Sequence, residues 1–151
     1  MMLAELLRNQ VLWTTIAAWF LAQFLKPFLE YLETRRWLWG LWFSSGGNPS
    51  SHSALVVSAM LAIGLYVGFD TPLFALALAL AMVVVYDAAG VRREAGRHAE
   101  RINLLFQELF SGQPISEQQL KEVIGHTPLE VLSGVLLGSA TALVSYVLFG
   151  R

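Results

Sequence analysis

The 151-residue chain contains no cysteine, which excludes disulfides and thiolate chemistry and leaves the redox compartment unreadable. Charge is scarce as well: charged residues make up 14% of the chain, against about 25% in soluble domains. The net charge of −1 removes any global electrostatic case for nucleic-acid binding. No internal repeat and no low-complexity tract interrupts the chain. A cleavable signal is not evident either, because Glu5 precedes Arg8 and the first apolar stretch lacks a small-residue cleavage site. That stretch is read as retained.

What is abundant is apolar surface. Hydrophobic residues are 56% of the chain, more than so small a soluble domain can hide, so the excess has to face lipid or a partner. Windows free of charge run over 9–25, 53–69, 71–86 and 131–150. Each is near the length of about 20 residues needed to cross a bilayer. The expected architecture is therefore all-α: a single integral-membrane four-helix bundle over 1–151, with spans near 9–29, 52–69, 72–88 and 128–149. Asp70-Thr71-Pro72 makes the second and third segments an antiparallel hairpin, with Pro72 at a helix start. Trp37, Trp39 and Trp42 read as an interfacial aromatic stretch.

The polar loop 91–127 separates the third and fourth spans. In it Ile102, Leu105, Phe106, Leu109 and Phe110 keep the spacing of an amphipathic surface helix. Ser116 and Gln119 resemble a capping box for a second short helix ending at Gly125.

Parity puts 31–52 and 91–127 on one side of the membrane. With Lys26, that side holds eight of the ten basic residues, leaving Arg8 and Arg151 opposite. The positive-inside rule makes it cytoplasmic, in what is expected to be the cell (inner) membrane. Arginines kept to bind phosphate would produce the same asymmetry.

Three polar blocks meet on that side. The first runs Ser44-Ser45-Gly46-Gly47-Asn48-Pro49-Ser50-Ser51-His52. Glycines such as Gly47 let backbone N–H groups approach an anion, and a following helix N-terminus adds partial positive charge. His52 beside such a nest can donate a proton to a leaving oxygen. The block also reads as an ordinary turn with Ser50 or Ser51 as N-cap.

The second block is Asp87-Ala88-Ala89-Gly90-Val91-Arg92-Arg93. Paired guanidiniums bind phosphate bidentately, and Asp87 would orient one of them. A stop-transfer flank has the same composition. His98, in a charged stretch, reads as a solvated helix face, and Lys26 as either a snorkelling residue or a phosphate ligand.

The third block is His126-Thr127-Pro128-Leu129-Glu130. Thr127, Pro128 and Glu130 fit N-cap, N1 and N3 of a capping box. Alternatively Glu130 orients the His126 ring so that its far nitrogen can attack phosphorus. The two readings compete for Glu130.

Pro49-Ser50-Ser51-His52 resembles the Pro-Ser-Gly-His block of the type 2 phosphatidic acid phosphatase superfamily, to which vanadium-dependent haloperoxidases also belong. The run from His126 to Gly134 is similar to its His-x-Pro-x-Asp-Val-x-x-Gly block, and 87–93 to a block of its divergent four-span branch. The resemblance covers nearly the whole chain in motif order. It implies His126 as phosphate nucleophile, Glu130 as its orienter and His52 as general acid. Ser51 and Arg92 or Arg93 would hold phosphate oxygens. Beside what the resemblance implies, Gly47 and Lys26 are further candidates for phosphate binding, with Asp87, Pro49 and Ser50 in support.

Departures from the pattern are specific. Leu120 stands six residues before His126 where an arginine is usual, and the early Lys-x6-Arg-Pro block is absent, Lys26 being followed by Glu33. Arg92 and His98 keep the arginine-to-histidine spacing, but Ile102 replaces the acidic residue beyond them.

The expected activity is hydrolysis of a lipid phosphate monoester or pyrophosphate through a phospho-histidine, with no metal and no cofactor. The expected partners are membrane lipid, a phosphorylated lipid substrate and, as an open option, further copies in a homo-oligomer. The alternative is a non-catalytic membrane protein that binds or transports a phosphorylated lipid or anion.

Overall fold

The structure, a computed structural model, describes residues 2–44, 46–90, 98, 101–103, 105 and 126–150. Among the described residues five α-helices and one 3-10 helix have defined bounds. They are α1 (Met2–Arg8), α2 (Gln10–Thr34), a 3-10 helix (Trp39–Phe43), α3 (Ser51–Tyr66), α4 (Pro72–Ala89) and α5 (Pro128–Phe149). Among the described residues there is no strand.

Helix starts follow local chemistry. Asn9, Ser50, Thr71 and Thr127 are N-caps whose side-chain oxygens accept from backbone N–H groups inside α2, α3, α4 and α5. Pro72 and Pro128 occupy first-turn positions, where a missing N–H costs nothing. Helix α2 runs on past the charge-free window, through Lys26, Pro27 and Glu30, with Lys26 buried in the bundle. It ends at Arg35, whose left-handed backbone donates to the Tyr31 carbonyl at 2.9 Å.

Contacts fix the helix directions. Thr14 of α2 meets Ser145 of α5, while Lys26 of α2 meets Ser51 of α3. The Ser50 N–H donates to the Glu130 carbonyl at 2.9 Å, joining the starts of α3 and α5. So α3 and α5 run parallel, antiparallel to α2, and the tight connection after Tyr66 returns α4 against α3.

Helix α3 is the centre, packed on α2, α4 and α5. Eight of its residues are buried, and they lie all round it rather than on one stripe. The closest pairing is α3 with α5, where Gly134, Gly138 and Ala142 are buried at four-residue spacing. A Cβ at Gly134 would strike the Ser50 carbonyl, and one at Gly138 would strike the Ala54 carbonyl. Small residues let two backbones touch, the packing mode that works where lipid removes the hydrophobic drive between helices.

The outer faces are apolar. Leu76, Leu80, Met82 and Val83 of α4 and Leu136, Leu143, Val147 and Leu148 of α5 are exposed. Helices α2, α4 and α5 are each long and apolar enough to cross a membrane. This is an all-α membrane protein. Of the expected surface helices, most positions lie outside the described residues; Ile102 and Leu105 are helical and exposed, and Asn103 is buried.

Candidate functional site

The starts of α3 and α5 sit side by side, and the residues just before each helix fill the space between them and α2. His126 precedes the Thr127 cap and is buried, with 2% of its surface exposed. Its Nδ1 lies 2.9 Å from Glu130 Oε2. An ionised carboxylate only accepts, so Nδ1 carries the proton of this hydrogen bond, and in a neutral ring Nε2 is then the nitrogen with the lone pair. Nε2 is buried and has no hydrogen-bond partner among the described residues. A buried ring nitrogen of that kind is costly unless something else will engage it.

Glu130 also closes the capping box. Its Oε2 accepts from the Thr127 N–H at 3.2 Å, while its own N–H donates to Thr127 Oγ1 at 3.3 Å. The two readings of Glu130 were expected to compete, and they do not. One oxygen serves both, because the first helical turn places the Thr127 amide and the His126 ring on the same side of the carboxylate.

His52, in the first turn of α3, faces this ring with centroids 6.3 Å apart and planes at 61°. Ser50 and Ser53 behind it are fully buried, with Ser53 Oγ donating to Ser50 Oγ at 3.0 Å. Pro49 follows a cis bond at Asn48. Asn48 Oδ1 accepts from Ser133 Oγ at 2.5 Å, tying the Gly-rich turn to α5.

Lys26 is not a snorkelling residue. It is 1% exposed, at the inner end of a buried stripe of α2 that begins Thr14, Ala18, Ala22. Nζ donates to the Ser44 carbonyl at 2.8 Å and to Ser51 Oγ at 3.3 Å. Glu130 is close enough for its charge to attract that of Lys26. Gly47 covers the lysine stem at φ 91°, a backbone angle that favours glycine, and a Cβ there would stand 3.7 Å from Lys26 Cδ.

The site thus assembles Lys26, Gly47, Ser51, His52, His126 and Glu130, a cation and two imidazoles around two helix N-termini. Asp87 is half-buried in the last turn of α4, and Arg92 and Arg93 lie outside the described residues. Among the described residues no three histidine, aspartate or glutamate side chains come together as a metal-binding group. Sequence reasoning missed the Asn48–Ser133 link and the close α3–α5 seam. The Gly134-xxx-Gly138-xxx-Ala142 spacing was the signal for the seam.

Residues 7–141 match the Divergent PAP2 family, and the chain belongs to it. It is 36% identical over 151 residues, 93% of this chain and 96% of the relative, to a protein of Bacillus subtilis (strain 168) named "Uncharacterized membrane protein YuiD". No solved structure matches the chain.

Proposed function

We propose that this member of the Divergent PAP2 family is a metal-independent lipid phosphatase, hydrolysing a phosphate monoester or pyrophosphate through a phospho-histidine. The observation that carries this reading is His126: Nδ1 pinned by Glu130, Nε2 buried and without a partner among the described residues, His52 facing it. Nε2 attacks phosphorus while Glu130 stabilises the imidazolium that forms. His52 gives its proton to the leaving oxygen and then takes one from the water that attacks the phospho-histidine. Phosphate leaves, and both rings return to their starting protonation.

Lys26 and Ser51, backed by the N-termini of α3 and α5, would balance the charge that builds on the phosphoryl oxygens. Arg92 and Arg93, one short stretch beyond α4, are proposed to complete that shell. Four crossings are proposed, with α3 as the fourth. At 16 residues it covers only about 24 Å, but a helix enclosed by three others need not match the lipid. The site then opens to the cytoplasmic side of the cell membrane.

The test is phosphate release by purified protein from phosphatidate, phosphatidylglycerophosphate and polyprenyl mono- and diphosphates, with and without chelator. Release that persists in chelator and disappears in His126→Ala is the expected result. Saturable binding without release would instead favour a carrier or receptor for the same lipids. Single cysteines at Ser44, Ser111 and Gln118 should label from one side of oriented vesicles, and those at Met2 and Asp70 from the other. Opposite labelling of Ser44 and Ser111 would overturn the four-crossing arrangement.

A further inference from the structure

A groove of about 580 Å³ opens beside the site, lined by Trp19, Phe20, Gln23, Phe24, Trp42 and Phe43. Its two walls are α2 and the 3-10 helix. Gln23 Nε2 donates to the Trp42 carbonyl at 2.8 Å, pinning one wall to the other. Rings stiffen it further: Phe20 stacks on Phe24, Phe24 on Trp42, and Trp42 meets Trp39 edge-on.

Both walls of the groove lead along the chain to the phosphate end of the site. Phe43 is followed directly by Ser44, whose carbonyl accepts from Lys26 Nζ. Gln23 lies one turn before Lys26 on α2, and Trp19 two turns before it, so the groove extends about 10 Å from Lys26. It runs toward Gln10, away from the α2 end that carries Glu30 and Glu33, which is the direction a lipid's chain must take when its phosphate sits at Lys26. A second groove, near Thr14 and Ser145, lies about 18 Å along α2 from Lys26 and is out of reach of the same headgroup.

We propose that the Trp19–Phe43 groove holds the hydrocarbon chain nearest the phosphate of a lipid bound at Lys26 and His126. This inference rests on the phosphate-site reading above. Lipid tails in the bilayer are as apolar as the groove, so the groove contributes position rather than raw affinity. A chain lying in it holds phosphorus over His126 instead of letting the lipid rotate away.

Photolabelling tests this without requiring turnover. Full-length protein in phosphatidylcholine vesicles receives trace phosphatidate, or a prenyl monophosphate, carrying a diazirine close to the headgroup. Dephosphorylated versions of both probes serve as controls. The expected result is label concentrated in 19–24 and 39–43 with a phosphorylated probe and absent with its control. Whichever probe competes off the other identifies the chain as acyl or prenyl.

Trp19→Ala combined with Phe43→Ala should cut this labelling at least about threefold, in a protein whose helix content matches wild type. Label spread equally over α4 and α5 with phosphorylated and control probes would overturn the groove. Groove labelling in a protein that releases no phosphate would sink the enzyme reading alone. Phosphate release with label elsewhere would sink the groove alone.

Discussion

The two ends of the bundle each hold a polar cluster, and the clusters differ in kind. At one end Thr14 Oγ1 meets Ser145 Oγ at 2.6 Å, and Tyr66 Oη meets the same Ser145 at 3.0 Å. These are three neutral hydroxyls on three helices, each supplying what the others need. At the other end Lys26, His126 and Glu130 are ionisable, and a buried imidazole nitrogen has no partner among the described residues. Inside a membrane every polar group seeks internal satisfaction, so the first cluster reads as glue. The second leaves room for the partner that the proposed function supplies, a phosphate group. Polarity alone does not mark a site; the unfilled valence does.

Removing the reactive ring should separate the two ends most sharply. His126→Ala or His52→Ala is expected to lower phosphate release by at least about three orders of magnitude. Thermal unfolding in detergent should stay near wild type, since Glu130 keeps its bond from the Thr127 N–H when the His126 ring is removed. A variant that kept near-normal release would assign the far-end character to both clusters.

Glu130→Gln keeps the cap's geometry but weakens ring orientation, so a rate loss of about tenfold to a hundredfold is expected, with little change in stability. Glu130→Ala should add about 1 kcal/mol of destabilisation by opening the capping box. If Glu130→Gln unfolded the protein at unchanged activity, capping would be its whole role.

The comparison can also be cut along the seam that joins the ends. Gly138→Val forces a side chain against the Ala54 carbonyl and should destabilise by about 1–3 kcal/mol, read as a lowered melting temperature. Activity per folded molecule should fall too, because the same seam sets the distance between the histidine-bearing turns. The smallest effect belongs to Ser145→Ala, expected to cost about 0.6 kcal/mol of stability and no activity. A rate loss there would connect the far cluster to the chemistry.

A pH series addresses the near end alone. One imidazole has to be neutral to attack and the other protonated to donate, so the rate should rise and then fall with pH. A profile flat from about pH 5 to 9, with chemistry rate-limiting, would contradict two histidines in these roles.

What the sequence made legible was local. Thr127-Pro128-x-Glu130, Thr71-Pro72 and Ser50 announce helix starts because a cap is read within four residues. The order of the first and third blocks along the chain pointed to one shared end, where His52 and His126 meet. Lys26 was not legible in the same way, since a lysine near the end of an apolar run can leave toward water or turn inward. Only the stripe of Thr14, Ala18 and Ala22 packed on its neighbours decides that. The helix Met2–Arg8 before the Asn9 cap was also missed. The Asn48–Ser133 bond joins positions 85 residues apart and has no local signature.

The double duty of Glu130 bears on how relatives of this chain should be read. On the proposed function, a relative that did not hydrolyse could exchange His126 at the cost of the ring's hydrogen bond to Glu130. It would still need a carboxylate at 130 to seal the first turn of α5. Retention of an acid there is therefore silent about activity, whereas under the proposed function an exchanged histidine at 126 marks a member unable to form the phospho-histidine.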